Sequence, residues 1–136
     1  GSDVAKALAM GADAVSIGMA SLIALNCNAP IFEEDYEALG TRPGYCHHCH
    51  TGRCPVGIAT QDPELEKRLD PEAAAKRLHN YLATLTLEAQ TLARACGKSH
   101  VHNLEPEDMV ALTLEAAAMA KVPLAGTDWI PGVTGF

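Results

Sequence analysis

Three cysteines fall within the nine residues of Cys46-His-His-Cys49-His-Thr-Gly-Arg-Cys54, and Pro55 follows at once. A stretch this dense in thiols, glycine and proline is committed to neither helix nor strand, so it folds as a loop around whatever its side chains grip. Thiolates are soft ligands that favour zinc, copper(I) or iron–sulfur clusters. Gly52 allows a tight turn. The backbone N–H groups of Gly52 and Arg53 can donate to inorganic sulfide, a hydrogen bond that tunes cluster potential. Proline directly after the last cysteine is also a feature of ferredoxin-type loops. Cys27 stands earlier, after a short helical segment. Cys46, Cys49, Cys54 and Cys27 are therefore the candidate metal ligands. His47, His48 and His50 are expected to hydrogen-bond around the site rather than ligate. A zinc site that draws its fourth donor from Cys27 or one of these histidines is the competing reading. Cys96, near the end of a long helical segment, is expected to be a small buried residue.

Other features of the chain decide the setting of that loop. A disulfide scaffold is the less expected use of five cysteines in a chain of this size and composition. No basic-then-apolar leader opens the sequence, and no segment approaches the roughly 20 apolar residues of a membrane span. The expected compartment is the cytoplasm, where thiols stay reduced and serve metals or catalysis. A net charge of −7 argues against a nucleic-acid binder. Hydrophobic residues at 48% allow a packed core, and aromatics at only 4% favour helices over a β-sandwich.

Ser2 can cap a helix over Asp3–Met10 with Val4, Ala5, Ala7 and Leu8 on its apolar stripe. Gly11 suits the left-handed position that ends it. Ala14-Val15-Ser16-Ile17 reads as a short, nearly all-apolar strand of the kind covered on both faces. Gly18 ends the strand, and Met19–Leu25 reads as another helix. Helix, buried strand, glycine and helix start together are α/β grammar. A glycine between a parallel strand and a helix lets backbone N–H groups approach an anion; an ordinary turn is the competing reading. One strand cannot form a sheet, and a (β/α)8 barrel takes roughly 250 residues. The chain is thus expected to be a fragment or subunit of something larger.

Downstream, Asp35–Leu39 can make a short turn of helix. Asp70-Pro71-Glu72 combines an acceptor cap, a proline at the first helical position and an acid in the first turn. This predicts a helix that runs to about Cys96 and stops at Gly97, with Leu78, Leu82, Leu85, Ala89 and Leu92 on its apolar face. Pro106-Glu-Asp is expected to open a further helix, with Met109, Leu112, Ala116 and Met119 on one side, ending before Pro123. His100 and His102 lie between these helices and read as capping or solvent residues. Trp129 and the glycine-rich end read as a loose or docking tail.

Gly11-Ala-Asp-Ala-Val-Ser-Ile-Gly18 and Cys49-His-Thr-Gly-Arg-Cys54-Pro-Val-Gly-Ile-Ala-Thr-Gln-Asp62-Pro63 resemble the glutamate synthase family, at the end of its flavin-binding, iron–sulfur synthase domain. The likeness runs on through Leu65-Glu-Lys-Arg-Leu69 and the helix after it, so it covers most of the chain. Its specific part is the Cys-His-x-x-x-Cys-Pro-Val-Gly block. The resemblance implies an α/β fold in three parts. Residues 1–26 would be the last strand and helices of an FMN-binding (β/α)8 barrel. Residues 27–69 would be a cysteine-rich iron–sulfur loop region, and 70–136 a mainly helical C-terminal region. Gly18, Met19 and Ala20 would lie by the FMN phosphate. Family members often carry threonine where Met19 stands, so here only its backbone N–H would serve. The common family spacing is Cys-x5-Cys-x4-Cys. Cys49 and Cys54 match its last two members. Pro43 occupies the spacing of the first, Cys27 occupies its sequence context, and Cys46 is an additional candidate. The family implies a three-iron cluster ([3Fe-4S]), with Cys46, Cys49 and Cys54 favoured as ligands; four cysteines can in principle hold a [4Fe-4S] cluster. The excursion between Cys27 and Cys46 resembles a branch that includes the flavin subunit of N-methylglutamate synthase.

For function, the resemblance implies an oxidoreductase that reduces 2-iminoglutarate, formed from 2-oxoglutarate and ammonia, to glutamate. Reduced FMN would deliver the hydride, and the cluster would pass electrons to the flavin. The implied partners are the remainder of the synthase barrel or other synthase subunits, with amidotransferase and electron-donor subunits or domains, and neither nucleic acid nor membrane. The chain alone is expected to be inactive, and no catalytic side chain is assigned to it. Two other functions compete: an N-methylglutamate synthase, in which methylamine replaces ammonia, and a zinc-stabilised helical interaction module without catalysis.

Overall fold

Helices and their caps organise this chain. The structure is a computed structural model that describes residues 1–134. Among the described residues six α-helices follow in order: α1 (Ser2–Ala9), α2 (Met19–Ala24), α3 (Glu33–Ala38), α4 (Pro63–Glu66), α5 (Pro71–Ala95) and α6 (Leu114–Ala120). Short 3-10 turns lie at Pro30–Phe32, Val101–Asn103 and Pro106–Asp108. By contact the chain forms two compact units, one of Ile17–Ala83 and one of Gly1–Ser16 with the chain from Thr84 onward.

The start and stop chemistry of α5 is local. Asp70 Oδ1 accepts from the N–H groups of Glu72 and Ala73 at 3.1 Å each, which satisfies two donors that no helix can satisfy for itself. At the far end the Gly97 N–H donates to the Arg94 carbonyl and the Lys98 N–H to the Ala93 carbonyl. Gly97 sits at φ 74, the left-handed conformation that closes a Schellman cap. α1 ends on Gly11 by the same pattern, its Gly11 and Ala12 N–H groups donating to Leu8 and Ala7. The start of α1 differs from expectation. Gly1 holds the N-cap position with no side-chain bond, and Ser2 is already the first helical residue.

The strand expected over Ala14–Ile17 does not form; these residues are irregular. A strand exists only through its hydrogen-bonding partner. Among the described residues the one ladder-type pairing is a single parallel bridge between Ala111 and Leu124. The helix expected from Pro106 is also broken. Asp108 turns back to accept from the Glu105 N–H at 2.9 Å and closes a capping box around one short turn. Ala111 then leaves the helical path, its N–H donating to the Pro123 carbonyl at 2.8 Å. α6 begins only after Thr113, whose Oγ1 accepts from Ala116 N–H at 3.2 Å. Leu112 and Met119, expected on a packed side, are 85% and 84% exposed.

In the unit that contains both chain-terminal stretches, α1 lays Ala5 and Ala9 against Ala89 and Ala93 of α5, with Leu104 alongside. Small side chains there allow close helix approach. The apolar face of α5 is covered at its alanines, whereas Leu82 and Leu92 remain well exposed. Cys96, expected inside, is exposed, because it follows the last residue of α5 and lies beyond the packed seam. A second cluster in this unit joins Ala111, Ala117 and Val122. The expected tail is hydrogen-bonded as far as Thr134, which accepts from the Ile130 N–H at 2.7 Å; its last two positions lie outside the described residues.

The core of the other unit is built on Tyr36 of α3, which is 1% exposed and packs with Ala29, Cys54 and Val56. A buried tyrosine removes on the order of 150–250 Å² from water, so one aromatic ring supplies much of this small core. Phe32, Cys46, Ile58 and Ala59 close around it.

Candidate functional site

Gly18, Met19, Ala20 and four of the cysteines all belong to the unit Ile17–Ala83. Gly18 is the N-cap of α2, and its carbonyl accepts from the Ser21 N–H at 3.1 Å and the Ser21 hydroxyl at 2.7 Å. Met19 and Ala20 are the first two helical residues, whose N–H groups have no acceptor within a helix. A methyl group at Gly18 would meet nothing within 4 Å, so packing within this chain does not demand glycine there.

The end of α2 delivers Cys27. Asn26 takes the left-handed conformation at φ 76 and donates its N–H to the Ile23 carbonyl, while the Cys27 N–H donates to the Leu22 carbonyl at 2.9 Å. This is again a Schellman cap, with asparagine where glycine is usual. From the other side the Tyr36 hydroxyl donates to the Cys27 carbonyl at 2.5 Å. Cys27 is thus held through both of its backbone polar groups.

Cys54 is buried, Cys27 and Cys46 are half-buried, and Cys49 is exposed. Burial pushes the Cys27 thiol above its ordinary value, and the charges of Cys49, Cys54 and Cys46 add to that rise. Burial likewise pushes the Tyr36 hydroxyl up to about 12, with Cys27, Cys46 and Cys54 contributing. Tyr36 packs in one cluster with Cys54 and Cys46. No three His, Cys, Asp or Glu side chains among the described residues are arranged to hold a single metal ion. A single tetrahedral ion needs all its sulfurs about 2.3 Å from one point. A multinuclear core bonds each sulfur to a different iron and accepts wider separations.

The loop itself is tied by local bonds. The Thr51 hydroxyl donates to the His48 carbonyl at 2.9 Å, and the Thr60 hydroxyl donates to the Gly52 carbonyl at 2.5 Å. Gly52 is left-handed at φ 74, as the tight turn requires. The Arg53 N–H, expected to be free for sulfide, is directed instead at Thr51 Oγ1, 3.3 Å away. His48 Nε2 lies 3.2 Å from the Leu39 carbonyl, which makes Nε2 the protonated nitrogen. Its Nδ1 is buried and without a hydrogen-bond partner.

Sequence reasoning missed Tyr36, Arg68 and Asp35. Arg68 Nη1 donates to Asp35 Oδ2 at 2.9 Å and to the Pro55 carbonyl at 2.8 Å, and Nη2 reaches Asp35 Oδ1 at 3.4 Å. The guanidinium also lies 4.9 Å from the centre of the Phe32 ring. One side chain thereby ties the excursion after Cys27 to the residue that follows Cys54.

Fold and site together define a mainly helical, cysteine-rich segment in which Cys46 and Cys54 pack with a buried tyrosine whose hydroxyl holds the Cys27 carbonyl. The family pattern described as a conserved region in glutamate synthase matches residues 1–99, and this chain belongs to the glutamate synthase family. It is 67% identical, over its whole length, to a "Glutamate synthase large subunit-like protein" of Rhizobium meliloti (strain 1021), of which it covers 31%. It is 43% identical over 75% of its length to the "Archaeal glutamate synthase (NADPH)" of Methanocaldococcus jannaschii, of which 17% is covered. To the "Archaeal-type glutamate synthase (NADPH)" of Dehalococcoides mccartyi it is 38% identical over 91% of its length, covering 22% of that protein. The chain therefore spans less than a third of each of these relatives. No solved structure matches. Among the described residues, no helix is long and apolar enough to cross a membrane.

Proposed function

We propose that this chain supplies the end of the flavin-binding barrel and the adjoining iron–sulfur segment of a glutamate-synthase-type oxidoreductase, which reduces 2-iminoglutarate, formed from 2-oxoglutarate and ammonia, to glutamate. The observation that carries this reading is the packing of Cys46 and Cys54 with Tyr36, whose hydroxyl holds the Cys27 carbonyl, in a chain of this family. The donor chemistry fits an iron–sulfur group, since soft thiolates select it. Cys46, Cys49 and Cys54 would hold the cluster from the loop. The N–H groups of Met19 and Ala20, behind Gly18, would receive the FMN phosphate. Irregular backbone at Ala14–Ile17 would become the last barrel strand once a neighbouring strand supplies its hydrogen bonds.

Bound flavin and cluster supply hydride and single-electron chemistry; the protein supplies placement and electrostatics. In that division of labour Tyr36 and Val56 cover Cys54, and the Schellman cap and the Thr51 and Thr60 bonds hold the loops in place. A second reading, N-methylglutamate synthesis with methylamine in place of ammonia, is favoured by the folded excursion between Cys27 and Cys46, which contains α3.

The test is anaerobic purification of the full enzyme complex, followed by iron, sulfide, zinc and FMN determination. Turnover of 2-oxoglutarate would then be measured with ammonia and with methylamine. Iron with sulfide, released FMN and amine-dependent glutamate or N-methylglutamate formation support the proposal. A colourless, zinc-loaded protein without flavin would sink it in favour of the interaction module.

A further inference from the structure

A pocket of about 150 Å³ lies where α5 gives way to the 3-10 turn Val101–Asn103. Its polar lining is Gln90, Arg94, Lys98, Ser99 and His100. The chain has 17 Asp and Glu against 10 Lys and Arg, yet no carboxylate lines this pocket. Three of its side chains have protons to give. Among the described residues no carboxylate pairs with Arg94, so its guanidinium N–H donors are unclaimed. The Ser99 oxygen accepts from Asn103 Nδ2 at 3.3 Å, which leaves its O–H to donate. His100 Nδ1 accepts the His102 N–H at 3.2 Å, so the ring carries its proton on Nε2. That ring is held in place: it stacks on His102 with centroids 5.2 Å apart, and His102 Nε2 lies 3.0 Å from the Asp13 carbonyl. The groups that would repel an anion are already engaged. A helix end presents partly negative carbonyls, but here the Ala93 and Arg94 carbonyls accept from the Lys98 and Gly97 N–H groups. Glu105 and Asp108 are paired with Lys98 at 2.7 and 3.3 Å.

We propose that this pocket binds a phosphoryl group, with Arg94, Ser99 and His100 as its donors. A guanidinium fork takes two oxygens of an oxyanion side by side. The Ser99 hydroxyl and the His100 Nε2–H then need further oxygens, which a tetrahedral phosphoryl group has and a planar carboxylate lacks. At roughly 30 Å³ for each water in the liquid, the pocket matches about five water molecules. That is room for a phosphate but not for a nucleoside, so anything esterified to the phosphate would extend outward past Arg94, Ser99 and His100, which are exposed. The inference stands apart from the flavin and iron–sulfur reading. Its residues belong to the unit of Gly1–Ser16 and the chain from Thr84 onward, whereas Gly18, Cys27, Cys46, Cys49 and Cys54 belong to the other.

The experiment uses the full enzyme complex in phosphate-free buffer. Equilibrium dialysis measures binding of inorganic phosphate, AMP and acetate to wild type, Arg94→Ala and Ser99→Ala, and crystals soaked in tungstate locate the site directly. Wild type is expected to show a saturable phosphate site that weakens about tenfold or more in Arg94→Ala and by a smaller factor in Ser99→Ala. Thermal midpoints should not move, since Arg94 is exposed and bears no ion pair among the described residues. Tungstate density is expected between Arg94 and His100. AMP binding tighter than inorganic phosphate, with the same loss in Arg94→Ala, assigns the phosphoryl group to an ester; the opposite order assigns it to the free ion. Phosphate binding unchanged by Arg94→Ala, or tungstate density absent from this pocket, overturns the proposal. Acetate that binds as tightly as phosphate overturns the phosphoryl assignment. Iron, sulfide and FMN content test the reading of the other unit separately, so either can fail without the other.

Discussion

Arg68 and Asp35, 33 residues apart in sequence, form a two-pronged ion pair, and the same guanidinium caps the carbonyl of Pro55. Exposed ion pairs contribute little, but this one is only partly exposed, with Arg68 at 29%. It adds a charge-assisted bond to backbone and a cation–π contact to Phe32. Arg68→Ala in the full protein is expected to cost about 1–2 kcal/mol, seen as a lower thermal midpoint. Arg68→Lys should recover little of this, because a single ammonium cannot reproduce the fork. Full recovery by lysine would show that charge alone matters at this position.

Gly57, in the Cys54-Pro-Val-Gly57 block, sits at φ 79, and a Cβ there would overlap the Leu65 carbonyl oxygen. Backbone cannot step aside as a flexible side chain can. Gly57→Ala is expected to cost about 3 kcal/mol or more, combining a left-handed alanine with the overlap. Gly52→Ala carries the conformational term alone, about 1 kcal/mol, since its Cβ would meet open space. Denaturant titration of the two variants side by side measures the difference; equal losses would refute the steric part.

Asn26 at φ 76 ends α2 and sets the N–H of Cys27. Asn26→Gly is expected to be neutral or slightly stabilising. Asn26→Val is expected to cost about 1–2 kcal/mol, because a β-branched residue is strained there. The reverse order in thermal melts would mean that the Asn26 side chain, rather than its backbone, is what the position needs.

Lys98 donates to Glu105 at 2.7 Å and lies 3.3 Å from Asp108. The hydrogen bond to Glu105, with Asp108 in support, raises the ammonium above its ordinary 10.5. The folded protein therefore holds this proton more firmly than the unfolded chain does. The stabilisation is complete below pH 10.5 and fades as the pH climbs through the raised folded value. Thermal midpoints of wild type and Lys98→Met should differ at about pH 9 and converge toward about pH 11. A gap that persists unchanged at the higher pH would rule out the ion pair as its source.

Legibility from sequence followed the range of the interactions. The Asp70 cap, the Gly97 stop and the Gly11 stop were all readable, because each is settled by residues within one turn of the helix end. The Ala14–Ile17 strand was misread as formed, since its apolar run describes a strand in search of neighbours that this chain does not provide. The helix at Pro106 was overextended because the Asp108 carboxylate, part of the expected Pro106-Glu-Asp start, closes a single turn, while the real start signal was Thr113 with Glu115 behind it. At the site, the loop thiols announced themselves by density. The bond from Tyr36 to Cys27 and the pairing of Arg68 with Asp35 left no periodic trace. They join residues whose spacing matches neither helix nor strand, and only the folded excursion brings them together.

Tyr36 also bears on how this stretch can vary among relatives. Nine positions separate its hydroxyl from the carbonyl it holds at Cys27, and both ends of that span are anchored by helix caps. Insertion or deletion of one residue there would rotate the ring out of the core or pull the cysteine off its mark, so the length of this span is locked even where its exposed side chains, such as Ile31 and Glu34, are free to drift. The turn from Arg42 to Tyr45, bearing no such anchor on the core, is where additions and losses of length should accumulate.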